Sequence, residues 1–135
     1  RKGICVIDLD TVMPGLSVND FGDSIRFGAS TGAEDEPDLT KISCDLDLFE
    51  AYTKGFIEGC AGALTEEELN QLVNGAKMMT LECGIRFLTD YLEGDHYFNI
   101  HRDGQNLDRC RTQFKLVADM EQKEMEMQEI VNKYR

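Results

Sequence analysis

This 135-residue sequence predicts a mainly α-helical domain with one short β-strand or hairpin at its N-terminus. Three observations carry that expectation. The only β-like run, residues 3–9 (G-I-C-V-I-D-L), stands at the start of the chain. Behind it, apolar residues recur at helical spacing in successive stretches. Helix-start signals punctuate those stretches, and Thr65-Glu66-Glu67-Glu68 is a complete capping box.

Residues 3–9 place apolar and β-branched side chains on both alternating faces, as in a strand covered on two sides. Pro14-Gly15 then breaks the chain. Ser17 reads as the cap of a first helix, with Asp20 at its third position and Phe21, Ile25 and Gly28 or Ala29 as its core stripe. Residues 30–41 (S-T-G-A-E-D-E-P-D-L-T-K) are acidic and aperiodic, so a solvated, mobile loop is expected. Leu46, Phe49, Tyr52 or Thr53, Phe56 and Cys60 form the stripe of a second helix, with Asp45 or Asp47 near its start. The capping box opens a long third helix that runs to about Glu93. One of its stripes is Leu69, Leu72, Val73, Ala76, Met79 and Cys83. A second stripe (Met78, Leu81, Ile85, Leu88, Leu92) joins after residue 77, so this half should be largely buried. Gly94-Asp95 ends the helix, and residues 97–100 read as a brief extended segment. Asn106 reads as the cap of a last helix reaching nearly to Arg135, with Leu107, Cys110, Phe114, Val117 and Ile130 inward. The Met-rich second half of that helix is expected to be exposed on most sides.

With 41% apolar residues, the chain suffices for one compact domain, residues 1–135, burying about two-thirds of its unfolded surface. Lys and Arg number 14 against 26 Asp and Glu, a formal net charge of −12. Such a surface repels nucleic acid and anionic membrane, and no apolar run is long enough to span a bilayer. The five cysteines at 5, 44, 60, 83 and 110 are odd in number and include no C-x-x-C pair. They read as buried thiols in a reducing, cytoplasmic compartment rather than as a disulfide framework or zinc site. No signal or transit peptide opens the chain, and the abrupt start at Arg1-Lys2-Gly3 suggests part of something longer.

The sharpest chemical feature is Val6-Ile7-Asp8-Leu9-Asp10-Thr11-Val12. Period 2 would set Asp8 and Asp10 on one face at a strand end. Two carboxylates there can hold Mg²⁺, which takes one or two of them and completes its octahedron with water and phosphate oxygens. The plain alternative is a strand end that turns acidic as it meets water. Read as D-x-D-x-V, the motif also matches haloacid-dehalogenase-like phosphatases, with Asp8 as nucleophile and Asp10 as acid/base. That fold needs a multi-stranded parallel sheet, and no further apolar strand follows residue 12.

The segment I-D-L-D-T-V-M-P-G-L-S-V-N-D-F-G-D resembles the stretch after the catalytic loop in the aminoglycoside phosphotransferase and choline kinase superfamily. Two later strings, G-I-R-F-L-T-D-Y-L-E-G-D-H-Y-F and N-L-D-R-C-R-T-Q-F-K-L-V, resemble its anomeric sugar kinases, the N-acetylhexosamine 1-kinases in particular. The resemblance runs along essentially the whole chain. It implies the helical C-terminal lobe portion of a protein-kinase-like fold, ATP and Mg²⁺ as cofactors, and a small sugar as substrate. The family's nucleotide-gripping lobe and its H-x-D-x-x-x-x-N catalytic loop do not occur here, so the chain alone is expected to be inactive and to carry no catalytic residue. His96 and His101, the only histidines, read as ordinary loop residues.

By the same resemblance, Asp8 takes the place of the metal-binding Asp and Asp10 that of a second acid. Asp20 would support the catalytic loop, unless it merely caps its helix. Phe27, Arg86 and Tyr97 would line the sugar pocket. Glu82, Arg86 and Asp90, spaced four apart, read either as a surface ion ladder worth roughly 0.2–0.5 kcal/mol per pair or as a held pocket arginine. A chain parted from its lobe should expose apolar surface around Val6, Phe27 and the Met78 stripe and so self-associate. The reading from another class is a non-catalytic, acidic helical interaction module that works through the Met-rich last helix.

Overall fold

The computed structural model describes residues 3–7, 9–10 and 12–135. Among them five α-helices follow in order: α1 (Ser17–Gly28), α2 (Leu46–Gly59), α3 (Glu66–Glu93), α4 (Gln105–Gln122) and α5 (Glu124–Lys133), with a single 3-10 turn at Leu39–Lys41. The chain is mainly helical, as its apolar spacing predicts. α3, at 28 residues, is the axis on which α1 and α4 both pack.

The α1–α3 crossing is close because two glycines meet there. A methyl group on Gly75 would stand 2.5 Å from the Val18 carbonyl oxygen, and one on Gly22 would overlap the Gly75 carbonyl. Phe21 and Ile25 of α1, Leu72, Val73 and Ala76 of α3 and Phe49 of α2 close over this crossing. Leu116 and Met120 of α4 and Met127 and Val131 of α5 complete the same core. Phe21 anchors it with its ring edge-on to Phe49 (5.9 Å between centroids) and to Phe56 (5.2 Å), a geometry aromatic quadrupoles favour.

The helix ends follow the sequence signals in part. Asp45 caps α2, accepting the Asp47 and Leu48 N–H groups at 2.9 and 3.0 Å. The Thr65–Glu68 capping box forms in both directions, and Gly94 closes α3 in the left-handed conformation (φ 101°). Ser17, by contrast, does not cap α1 with Asp20. The cap is Leu16 without a side-chain bond, and the Ser17 hydroxyl donates to Glu68 Oε1 at 2.7 Å. A carboxylate already fixed by the α3 capping box thus ties the start of α1 to the start of α3. Asn106 is likewise no cap: α4 begins after Gly104, in the left-handed region at φ 72°, and Asn106 is buried.

Several other expectations change for physical reasons. Residues 3–7 and Leu9 form no strand and are exposed, since no described element offers an edge to satisfy their backbone groups. The only ladder contact among the described residues is the isolated Ser30–Cys44 bridge. Residues 30–41 are not a loose loop. Glu34 is paired to Arg26, Thr31 N–H donates to the Ser43 carbonyl at 3.0 Å, and the Thr112 hydroxyl donates to the Glu34 carbonyl. The second α3 stripe is not buried: Met78, Leu81, Ile85 and Leu92 stand largely exposed and only Leu88 is half-buried. Residues 97–100 form no regular element.

The last helix is divided at Lys123. There the Lys123 ammonium donates to Asp119 Oδ2 (2.7 Å), Ser43 Oγ (2.6 Å) and the Cys44 carbonyl (2.7 Å). Burial raises the Asp119 pKa, but Lys123, the Cys44 N–H and the Ser43 hydroxyl outweigh it and hold it below the usual carboxylate range. The break also turns Met127 inward beside Met120, both fully buried, while Met125 is exposed. Of the five thiols, all free, Cys44, Cys83 and Cys110 are buried, Cys60 is intermediate and Cys5 is exposed, so the expectation of uniformly buried cysteines is corrected at Cys5 and Cys60. Among the described residues, no helix is long and apolar enough to cross a membrane.

Candidate functional site

The C-terminal end of α3 is held by one buried carboxylate. After the left-handed Gly94, Asp95 N–H returns to the Asp90 carbonyl at 2.8 Å. The Asp90 side chain, only 4% exposed, accepts the N–H groups of His96 (2.9 Å), Tyr97 (2.7 Å) and Phe98 (2.9 Å). It also accepts the Asn106 amide at 2.8 Å, which joins the turn to α4. Burial pushes the Asp90 pKa up, but the Phe98, Tyr97 and His96 N–H donors outweigh it and hold the carboxyl below its ordinary range. Three consecutive backbone donors on one anion fix the path of residues 96–98.

That path brings two rings against Arg86, one turn earlier on α3. The guanidinium carbon lies 5.6 Å from the Tyr97 ring centre and 5.4 Å from that of Phe98, within cation–π reach. Nη2 also approaches Tyr97 Oη at 3.4 Å, the long limit of a hydrogen bond. Of the expected ladder only Glu82 remains beside Arg86, at 3.7 Å from Nε. Asp90 is turned to the loop instead. Arg86 is half-exposed, not buried, because the apolar stripe around it is itself exposed.

A cleft of about 630 Å³ opens between α1, α3 and α4, with Arg26, Glu34, Glu82, Cys83, Arg86, Phe87, Phe98 and Arg109 among its walls. A shallower hollow of about 340 Å³ lies on the other side of Arg86, along Thr89, Asp90, Glu93, Tyr97 and Phe98. In the cleft, Glu34 is gripped by two arginines: Arg26 Nη1 at 2.7 Å and Arg109 Nε at 3.7 Å. Burial opposes the Arg26 charge, but the Glu34 and Asp23 hydrogen bonds outweigh it and raise its pKa. Arg109 also stacks on Phe87, 5.5 Å from the ring centre. Burial pushes the Cys83 pKa up, more than Arg26 lowers it, so the thiol is no ready nucleophile.

The structure therefore joins Arg86 with Tyr97 but leaves Phe27 apart. Phe27 is 74% exposed on α1, away from Arg86 and Tyr97, in a small hollow that shares Arg26 and Glu34 with the cleft. Asp20 is exposed in the first turn of α1, where its charge suits the positive helix end. Asp8 lies outside the described residues. Asp10 is exposed in a turn closed by the Val12 N–H to the Leu9 carbonyl at 3.2 Å. Among the described residues, no group of three His, Cys, Asp or Glu side chains stands ready to hold a metal ion. Phe98 and the Arg26–Glu34–Arg109 cluster escape sequence reading, because residues 26, 34 and 109 meet only through the tertiary fold. No model of a known protein family matches the chain.

Proposed function

We propose that this chain is the C-terminal, sugar-binding part of an ATP-dependent small-molecule phosphotransferase of kinase-like fold, cytoplasmic, acting on the anomeric hydroxyl of an N-acetylhexosamine. The observation that carries the reading is the Arg86–Tyr97 pair, whose ring and guanidinium are set side by side by the Asp90 turn. A planar donor fork beside an aromatic face matches a sugar, whose ring carbons pack on the aromatic face while its hydroxyl and acetamide oxygens accept hydrogen bonds. The exposed apolar residues Ile4, Val6, Ile7 and Leu9, with Met78, Leu81 and Ile85 on α3, support a portion that seats against further protein.

Mg²⁺ and ATP are the cofactors of this reading. The described residues do not make up a metal site by themselves, since Asp10 stands alone and exposed. What this chain contributes is recognition and orientation of the sugar, the positioning component of catalysis. Of the methionines that the interaction-module alternative would display, Met120 and Met127 are fully buried and Met125 is exposed. The phosphatase alternative finds no parallel sheet among the described residues.

The test is to incubate the gene product that carries this chain with ATP, Mg²⁺ and N-acetylglucosamine or N-acetylgalactosamine, following ³¹P NMR. The reading expects an anomeric phosphate to appear. Turnover of neither sugar, or phosphate on another hydroxyl, would contradict it.

A further inference from the structure

The cleft on the α1 side of Arg86 is built beyond what contact with Tyr97 uses. Its walls carry three guanidinia, on Arg26, Arg86 and Arg109, and three carboxylates, on Asp23, Glu34 and Glu82. The balance is zero, so the cleft selects no ion of either sign. Arg26 and Arg109 are fixed in place, their side chains only 13% and 16% exposed. Arg26 is held by Asp23 at 3.0 Å and Glu34 at 2.7 Å. Arg109 is held by the Asn99 carbonyl at 3.2 Å and Asn106 Oδ1 at 2.9 Å. Those bonds use Nε and Nη1 of Arg26 and Nη1 of Arg109, so among the described residues Nη2 of each, and the buried Nε of Arg109, donate to no partner. The three carboxylates keep lone pairs free. A wall of fixed donors alternating with acceptors suits hydroxyl groups, each of which both donates and accepts.

One side of the cleft is apolar. Phe87 and Phe98 pack with centroids 4.6 Å apart, beside the buried Cys83. Arg86 and Phe98 line both this cleft and the hollow along Tyr97, so the two are neighbours across a single guanidinium. At about 630 Å³ the cleft alone exceeds what one hexose ring fills.

The geometry points to a second saccharide subsite: the site takes a disaccharide, with one N-acetylhexosamine against Arg86 and Tyr97 and the next sugar unit in the Arg26–Glu34–Arg109 cleft. The inference rests on the sugar reading above and extends it to substrate length. A preorganised, neutral polar wall contributes affinity because its side chains are already ordered before binding.

The experiment compares N-acetylglucosamine with its β-1,4-linked dimer, N,N′-diacetylchitobiose, by calorimetric titration of the full 135-residue chain. The disaccharide is expected to bind at least tenfold more tightly. Asn99→Trp, an exposed position on the lip of the cleft that keeps its backbone carbonyl, should erase that advantage and leave the monosaccharide affinity unchanged. Equal affinity for the two sugars, or an equal loss of both in Asn99→Trp, overturns the second subsite and leaves the monosaccharide site standing. Binding of neither sugar overturns both. If Asn99→Trp does not fold, the wild-type affinity ratio decides by itself.

Discussion

Asp90 accepts the Tyr97 N–H at 2.7 Å, and this bond sets where the Tyr97 ring stands relative to Arg86 on the preceding turn of α3. The carboxylate that the four-residue spacing offers as an ion partner of Arg86 is spent on backbone instead. Its effect on the site is indirect: it orders residues 96–98, and they carry the two rings.

Asp90→Asn keeps the shape but replaces an anion that accepts three N–H groups. The variant should melt several degrees lower than the parent, and the His96, Tyr97 and Phe98 amides should lose hydrogen-exchange protection first. The pH dependence has a definite sign. Because the folded pKa of Asp90 lies below the ordinary 3.8, its stabilisation is complete above that value and is lost as pH falls through the lower folded one. The melting difference between parent and variant should therefore be constant near neutrality and shrink below about pH 4. A difference that does not change with acid would mean the charge is unimportant.

Gly22→Ala tests the helix crossing. Its methyl would overlap the Gly75 carbonyl, a backbone group that cannot rotate away. The expected penalty is about 1–3 kcal/mol, read as a lower midpoint in urea with unchanged slope. Gly28→Ala, with open space at its Cβ, should be neutral or slightly stabilising by helix propensity.

How much of this was legible in the sequence differs from element to element, for physical reasons. The Thr65–Glu68 box, the Asp45 cap and the Gly94 terminus are local chemistry, set by residues within three or four positions. Burial of a stripe is not local. Met78, Leu81 and Ile85 have the spacing of a core face, yet no described element covers them. The same holds for residues 3–7, whose strand pattern presupposes a neighbouring strand. The acidity of residues 30–41 predicts a solvated loop, yet it includes Glu34, which answers Arg26 and Arg109 across the fold. Of the candidate site, motif resemblance points to Arg86 and Tyr97, which meet in the fold, whereas Phe27 stands away from them, next to Arg26 and Glu34.

The exposed apolar surface has a measurable consequence. Val6, Ile7, Met78, Leu81 and Ile85 are all substantially exposed, and such surface tends to find a partner. The isolated chain should self-associate with rising concentration in light scattering. Ile85→Glu together with Met78→Lys should shift it toward monomer without lowering its melting temperature. A parent chain that stays monodisperse and monomeric at high concentration would contradict the expectation.

Arg86→Ala separates a ligand role from a structural one. Arg86 is half-exposed and its one carboxylate neighbour is 3.7 Å away, so removing it should leave thermal stability nearly unchanged. In the enzyme that carries this chain, sugar kcat/KM should fall at least tenfold, about 1.4 kcal/mol, while the ATP KM stays in place. A lower melting temperature with normal kinetics would mean Arg86 serves only the fold.

The central claim, that the end of α3 recognises a sugar, is tested most directly by an ¹H–¹⁵N NMR titration of the 135-residue chain with N-acetylglucosamine. Saturable shifts at Arg86 Nε and at the Tyr97 and Phe98 amides, with α2 and α5 unmoved and the response abolished in Arg86→Ala, are the predicted result. No shift at those positions at any sugar concentration, or a response identical in Arg86→Ala, would contradict it.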